Sequence, residues 1–210
     1  MNKINHIIDS INKAESNSSK LTSPILSIPG ESGKKSKHLL NNLANYPNIN
    51  HLEIGVKYGA TLVPTLFKNK VNSSYAIDID KRNVQQILSY KEKFNISFNF
   101  FNEDCFQLDL SKINNKINLY LFDGDHTYDD HYKSLTYYYP ILADEFIFVV
   151  DDWLDANDTY FKDWKHIQEA TLDAINDLKL NILFQQHKGR INPQIDNWWG
   201  GYWISLLKKY

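Results

Sequence analysis

The chain has a single cysteine, Cys105, among its 210 residues. No internal disulfide can form, and a reducing compartment is the natural expectation, so a cytoplasmic location is predicted. An excess of one charge is lacking too. Twenty-three Lys and Arg against 25 Asp and Glu leave a formal net charge of −2. A protein that grips nucleic acid by bulk electrostatics needs a basic face, so no nucleic-acid partner is expected. Long apolar runs are missing as well. Residues 1–20 are polar and interrupted (Asn2, Lys3, Asn5, Asp9, Ser10), unlike a signal peptide. No stretch is long enough to span a bilayer, so no membrane partner is expected.

Two phosphate-binding signatures are also absent. Gly55-Val56-Lys57-Tyr58-Gly59 lacks the spacing and the third glycine of the dinucleotide fingerprint. Gly30-Glu31-Ser32-Gly33-Lys34-Lys35-Ser36 places two residues between its glycines where a Walker A loop needs four. It reads as a flexible turn leading into a helix. No repeat, linker or low-complexity tract divides the chain, and a hydrophobic fraction of 42% fills one substantial core.

What is present is alternation. Ile4, Ile7, Ile8 and Ile11 are spaced for an amphipathic helix within residues 1–20. A Ser-rich break over 16–23 follows, and a second helix starts near Ser36. Strands are predicted over 50–54, 74–78, 97–101, 117–122 and 146–150, with helices over 61–68, 83–91, 128–138 and 161–178. Two further strands, 181–186 and 202–207, flank a Gly200-Gly201 turn. Strand–helix alternation predicts a doubly wound α/β fold with a mostly parallel, seven-stranded sheet. The last two strands have no good helix between them and predict an antiparallel hairpin at one edge. Residues 1–47 form an N-terminal, lid-like segment in this reading, and 48–210 form the core.

The acidic residues fall in a pattern. Glu53, Asp78, Asp104, Asp123 and the Asp151-Asp152 pair each sit in or just past the carboxyl end of a predicted strand. Ligands bind along that edge of an open α/β sheet. Helix capping accounts for any one of these acids, but poorly for five strand ends in a row. Gly55 and Gly59 let the backbone approach a ligand closely. Asp78 ends the next strand, where an acid can accept hydrogen bonds from both ribose hydroxyls of a nucleotide.

Leu52-Glu53-Ile54-Gly55-x-x-x-Gly59 and Ala76-Ile77-Asp78 resemble the first two motifs of class I S-adenosylmethionine (SAM) dependent methyltransferases. Phe122-Asp123-Gly124-Asp125-His126-Thr127-Tyr128-Asp129-Asp130, with Val149-Val150-Asp151-Asp152-Trp153, is similar to a narrower subgroup. That subgroup includes macrolide sugar O-methyltransferases and cephalosporin-pathway methyltransferase-like proteins. The resemblance implies a Rossmann-like fold, with SAM held by Glu53, Gly55, Tyr58, Gly59, Asp78, Asp104 and Asp123. It further implies Mg²⁺ held by Asp123, Asp151 and Asp152, with His126 as catalytic base. The acidic pair is Asp-Asp here, where some relatives carry Glu-Asp; both are hard oxygen ligands suited to Mg²⁺.

The expected function is O-methylation of a hydroxyl on a small-molecule or glycan acceptor, a sugar first and a phenol or catechol second. A nicotinamide-dependent oxidoreductase and a non-catalytic SAM-binding protein are the alternatives of another class. A homo-oligomer is left open. Asn197-Trp198-Trp199-Gly200-Gly201-Tyr202-Trp203 concentrates tryptophan; aromatic faces suit sugar rings, but core packing around the edge hairpin is the favoured reading over a saccharide site. Trp153, beside the acidic pair, is the tryptophan expected to meet the acceptor.

Overall fold

The computed structural model describes residues 2–153, 166–189 and 198–210. Residues 161–165 of the predicted long helix, and Asn197, lie outside them. Three helices precede the sheet: α1 (Lys3–Glu15), α2 (Ser23–Leu26) and α3 (Lys34–Leu43). Strands and helices then alternate as β1 (Asn50–Ile54), α4 (Leu62–Leu66), β2 (Ser73–Ile77), α5 (Val84–Phe94) and β3 (Asn99–Phe101). They continue with β4 (Ile117–Phe122), α6 (Tyr128–Thr136), β5 (Leu142–Asp151), α7 (His166–Asp177), β6 (Asn181–Lys188) and β7 (Tyr202–Lys208).

The seven strands form one sheet in the order β3-β2-β1-β4-β5-β7-β6. All described neighbours among β1 to β5 pair in parallel, and β7 runs antiparallel to both β5 and β6. The expected mixed sheet is therefore present. The antiparallel pair ends the sheet, with β6 outermost and β7 inserted beside β5.

Alternation along the strands builds the two covered faces. Leu119 and Leu121 of β4, with Ile147 and Val149 of β5, point to the face covered by α1 and α3 through Ile7, Ile11, Leu39 and Leu43. Their neighbours Tyr120, Phe122, Phe148 and Val150 point to the other face, against Leu135 of α6 and Ile167 of α7. The stripe on α1 is Ile7, Ile11 and Ala14, whereas Ile8 is 40% exposed, so that residue of the predicted face looks outward. Tyr120 is fully buried and donates its hydroxyl to the Ser134 carbonyl at 3.0 Å, fixing α6 over the sheet.

Element boundaries move where local chemistry decides. The segment read as a Ser-rich break contains the short α2, with Pro24 in its first turn, where a missing N–H costs nothing. Strand β5 begins four residues before its apolar run because Leu142 already pairs with Ile117. Ala143, Asp144 and Glu145 thus belong to a strand.

Candidate active site

The chain runs from β1 out to β2 and β3, then returns across β1 to β4. The topological switch therefore lies between β1 and β4, where open α/β sheets bind ligands. Backbone bonds carry the ladder just past the strand ends. Gly55 N–H donates to the Ile77 carbonyl at 3.0 Å, Asp123 N–H to Ile54 at 3.0 Å and Asp78 N–H to Phe101 at 3.1 Å. Gly55, Asp78 and Asp123 are thereby set along one rim. Gly55 has φ +85°, and a Cβ there would stand 1.7 Å from the Asp123 carbonyl oxygen, so glycine alone fits between β1 and β4.

A cleft of about 1070 Å³ opens at this rim. That is room for a nucleotide-sized ligand together with a small acceptor. Of the residues singled out in the sequence, Gly55, Tyr58, Asp78, Asp104, Asp123, His126, Asp151 and Asp152 line it. Gly59 and Glu53 do not. Gly59, at φ +78°, turns the chain toward α4. Glu53 is fully buried behind the wall, accepting a 2.7 Å hydrogen bond from Thr61 Oγ1. Burial pushes its carboxyl up to about 8, and the Asp78 charge adds to the effect. His51, on the same face of β1, is pushed down to about 3 by burial and contacts Ser74 Oγ at 3.0 Å. Its Nε2 is 3.7 Å from Glu53, too far for a hydrogen bond, so the two form a neutral pair.

At one end of the cleft, Asp78 accepts the backbone N–H of Lys57 through one oxygen and that of Asp80, at 2.7 Å, through the other. The carboxylate is thus held rigid, with lone pairs remaining for further donors. Asp104 accepts the Phe106 N–H at 2.9 Å and Gln107 Nε2 at 3.1 Å, which shapes the turn after β3. The Lys57 ammonium meets the Glu31 carboxylate and ties the N-terminal segment across the mouth.

The other end gathers the acids. Asp123, His126 and Asp152 bring one donor atom each to within 4.8 Å of one another, and His126 Nε2 lies 2.7 Å from Asp152 Oδ2. A carboxylate only accepts, so this pairing assigns the hydrogen to Nε2. Asp151 is nearly buried and accepts the Asp152 N–H at 2.7 Å. It lines the cleft but stands outside that three-residue group. Burial, then the neighbouring Asp151 and Asp152 charges, raise Asp123 well above the carboxylate range. Burial and Asp152 do the same to Asp151. Carboxylates crowded in this way favour a proton or a cation among them. Thr127 caps α6 by accepting the Asp130 N–H at 3.1 Å, so Asp129 and Asp130 are explained in part by the helix N-terminus.

Glu31 and Lys133 are among the cleft residues the sequence reading gave no role, and Trp199, expected in the core, lines the cleft as well. Trp199 is 46% exposed at the mouth. Trp153, expected to meet the acceptor, is only 6% exposed and stacks on Trp203 at 4.7 Å between centroids, so that expectation is corrected. Trp198 and Trp203 are core, as expected.

Residues 52–153 match the family model of a methyltransferase domain. The match spans β1 to the acidic pair after β5. The fold is shared with the N-methyltransferase NodS of Bradyrhizobium japonicum WM9, solved in complex with S-adenosylhomocysteine. The TM-score is 0.62 at 13% identity, over 97% of this chain and 98% of that one. Ribosomal protein L11 methylase of Lactobacillus delbrueckii subsp. bulgaricus gives 0.58 at 13% identity, over 89% of this chain and 83% of that one. TrmK of M. capricolum, with S-adenosylhomocysteine as its natural cofactor product, gives 0.53 at 16%, over 81% and 67%. No curated protein sequence matches the chain. The matched span is just under half of the chain, and the solved structures share its fold.

Proposed function

We propose that this chain transfers the methyl group of SAM to a hydroxyl of a sugar or glycan. The observation that carries the reading is the His126–Asp152 contact at 2.7 Å, with Asp123 beside it, in the wall of the cleft that holds the Gly55 loop. A hydroxyl is a poor nucleophile until its proton leaves, whereas a neutral amine needs no such help. A histidine–carboxylate pair at the reacting end is therefore the arrangement a hydroxyl acceptor requires.

In this reading Gly55, Tyr58, Asp78 and Asp104 form the SAM site, with Asp123 at its junction with the acceptor; Glu53 supports the wall from behind and Gly59 turns the loop. The hydroxyl oxygen attacks the methyl carbon opposite the departing sulfur; the C–O bond forms, the C–S bond breaks and S-adenosylhomocysteine leaves. The hydroxyl proton passes to the His126 imidazole, and Asp152 Oδ2 holds the imidazolium at Nε2. Glu31, paired with Lys57, closes the N-terminal segment of residues 1–47 over the cofactor end and excludes water. The crowded carboxylates fit a hard divalent cation, and Asp123, Asp151 and Asp152 are the residues that would hold Mg²⁺. Bound there, Mg²⁺ would lower the acceptor hydroxyl's pKa and orient it.

A phenol or catechol is the second reading, favoured by the exposed Trp199 ring, which suits a flat acceptor as well. The test is His126→Ala, assayed by transfer of labelled methyl from SAM to methyl α-L-rhamnopyranoside and to catechol. Transfer is expected to fall by about 10² to 10⁴ while S-adenosylhomocysteine affinity holds. Undiminished transfer by the variant refutes the base assignment.

A further inference from the structure

We infer that Trp199 is the platform on which the acceptor ring lies, and that the ring is an uncharged pyranose. The inference rests on the sugar O-methyltransferase reading and names the residue that selects the acceptor.

Position argues first. Gly200 passes so close to Asp152 that a Cβ on it would lie 1.9 Å from Oδ1. Trp199 is the next residue, one Cα step of about 3.8 Å away. The acceptor hydroxyl must come within reach of His126, which itself contacts Asp152 at 2.7 Å. Trp199 therefore stands one residue from the backbone that packs against Asp152, the partner of His126, and it lines the same cleft.

The turn that carries it is fixed from several sides. Ser36 Oγ donates to the Trp198 carbonyl at 3.1 Å, and Gly201 N–H to the same carbonyl at 3.3 Å. Trp153 N–H donates to the Gly201 carbonyl at 3.3 Å. Trp198 is buried in the core, while Trp199 takes φ 57°, a left-handed conformation unusual for a bulky residue. The next side chain is thereby turned out of the core. Among the described residues its indole stacks on no other ring. An indole held at a cleft mouth and 46% exposed offers apolar surface to a ligand.

The chemistry of the face selects the ligand. An indole face carries partial negative charge and attracts the C–H groups that line one face of a pyranose. Asp123, Asp125, Asp130, Asp151 and Asp152 line the same cleft, whose lysines are Lys133 and Lys57, the latter paired with Glu31. Even with a divalent cation on Asp123, Asp151 and Asp152, these carboxylates outnumber the positive charges beside them, so an acidic sugar finds no net cationic partner and the ring is uncharged.

The five tryptophans give five indole N–H signals in a ¹H–¹⁵N spectrum, and Trp199→Phe identifies the one that matters. The protein is loaded with S-adenosylhomocysteine in Mg²⁺ buffer, then titrated with methyl α-L-rhamnopyranoside, methyl α-D-glucopyranoside, methyl β-D-glucuronide and catechol. The expected result is a saturable shift of the Trp199 signal with a neutral glycoside and none with the glucuronide. With the neutral glycoside that binds, Trp199→Ala raises KM roughly three- to tenfold, kcat stays within about twofold, and Trp199→Phe restores most of the loss. A merely structural role would lower thermal stability without that split. A Trp199 signal that ignores every neutral glycoside, or answers catechol or the glucuronide instead, overturns the inference. A spectrum that S-adenosylhomocysteine leaves unchanged overturns the methyltransferase reading itself, and this inference falls with it.

Discussion

Replacing Gly200 by alanine isolates one contact at the reacting centre. The Cβ would lie 1.9 Å from Asp152 Oδ1 and 3.0 Å from Cγ. Gly200 is not among the glycines with positive φ, so the backbone itself accepts alanine. The carboxylate therefore gives way, and it must swing by about 1.5 Å to regain ordinary van der Waals separation. His126 Nε2 and Asp152 Oδ2, now 2.7 Å apart, would then stand beyond hydrogen-bond range. Losing a charge-assisted hydrogen bond costs about 1.5–3 kcal/mol, or roughly 10- to 150-fold. Because Asp152 is also a proposed cation ligand, Gly200→Ala is expected to weaken Mn²⁺ binding by about 10- to 100-fold. Electron paramagnetic resonance of free Mn²⁺, titrated with the cofactor-product-loaded protein, reads this directly. Affinity for S-adenosylhomocysteine should stay within about threefold, since Gly55 and Asp78 are untouched. Unchanged Mn²⁺ affinity in a folded Gly200→Ala protein would refute the placement of Asp152 at the cation site.

Gly55→Ala tests the other end. Its Cβ would meet the Asp123 carbonyl at 1.7 Å and its φ of +85° is strained for alanine, so S-adenosylhomocysteine affinity should drop at least tenfold by calorimetry. Glu53→Gln tests the buried acid. Its carboxyl is raised from 4.5 to about 8, so its contribution to stability is complete below pH 4.5 and is lost as pH rises through 8. His51 works oppositely: lowered from 6.5 to about 3, it favours the fold above pH 6.5 and opposes it as pH falls toward 3. Urea unfolding from pH 6.5 to 9 should show the wild type losing stability and Glu53→Gln holding it. Across that window the difference should grow by at most about 2 kcal/mol, since pH 6.5 lies about 1.5 units below the folded value, and parallel curves would contradict a neutral Glu53.

The strands and the acidic rim were legible in the sequence because both are local. Apolar runs such as 146–150 mark strands covered on both faces, and each ends where its acid begins. The insertion of β7 between β5 and β6 was not legible, since nothing in the 202–208 run says which neighbour it chooses. Pairings across long separations were hidden for the same reason. His126 and Asp152 are 26 residues apart, and Glu31 and Lys57 likewise, with no spacing that links them. Trp153 misled through its adjacency to Asp152. That aspartate takes φ 55°, and the left-handed turn sends the following indole inward onto Trp203. Trp199 looked like one more core tryptophan because a run of aromatics gives no sign of which member the backbone turns outward.

The measurement that tests the central claim most directly is calorimetric titration of the purified protein with S-adenosylhomocysteine, alongside NADH, with and without Mg²⁺. Saturable micromolar binding of S-adenosylhomocysteine and none of NADH is the predicted result. Absence of S-adenosylhomocysteine binding under every condition would contradict the assignment of the Gly55–Asp78 rim to SAM.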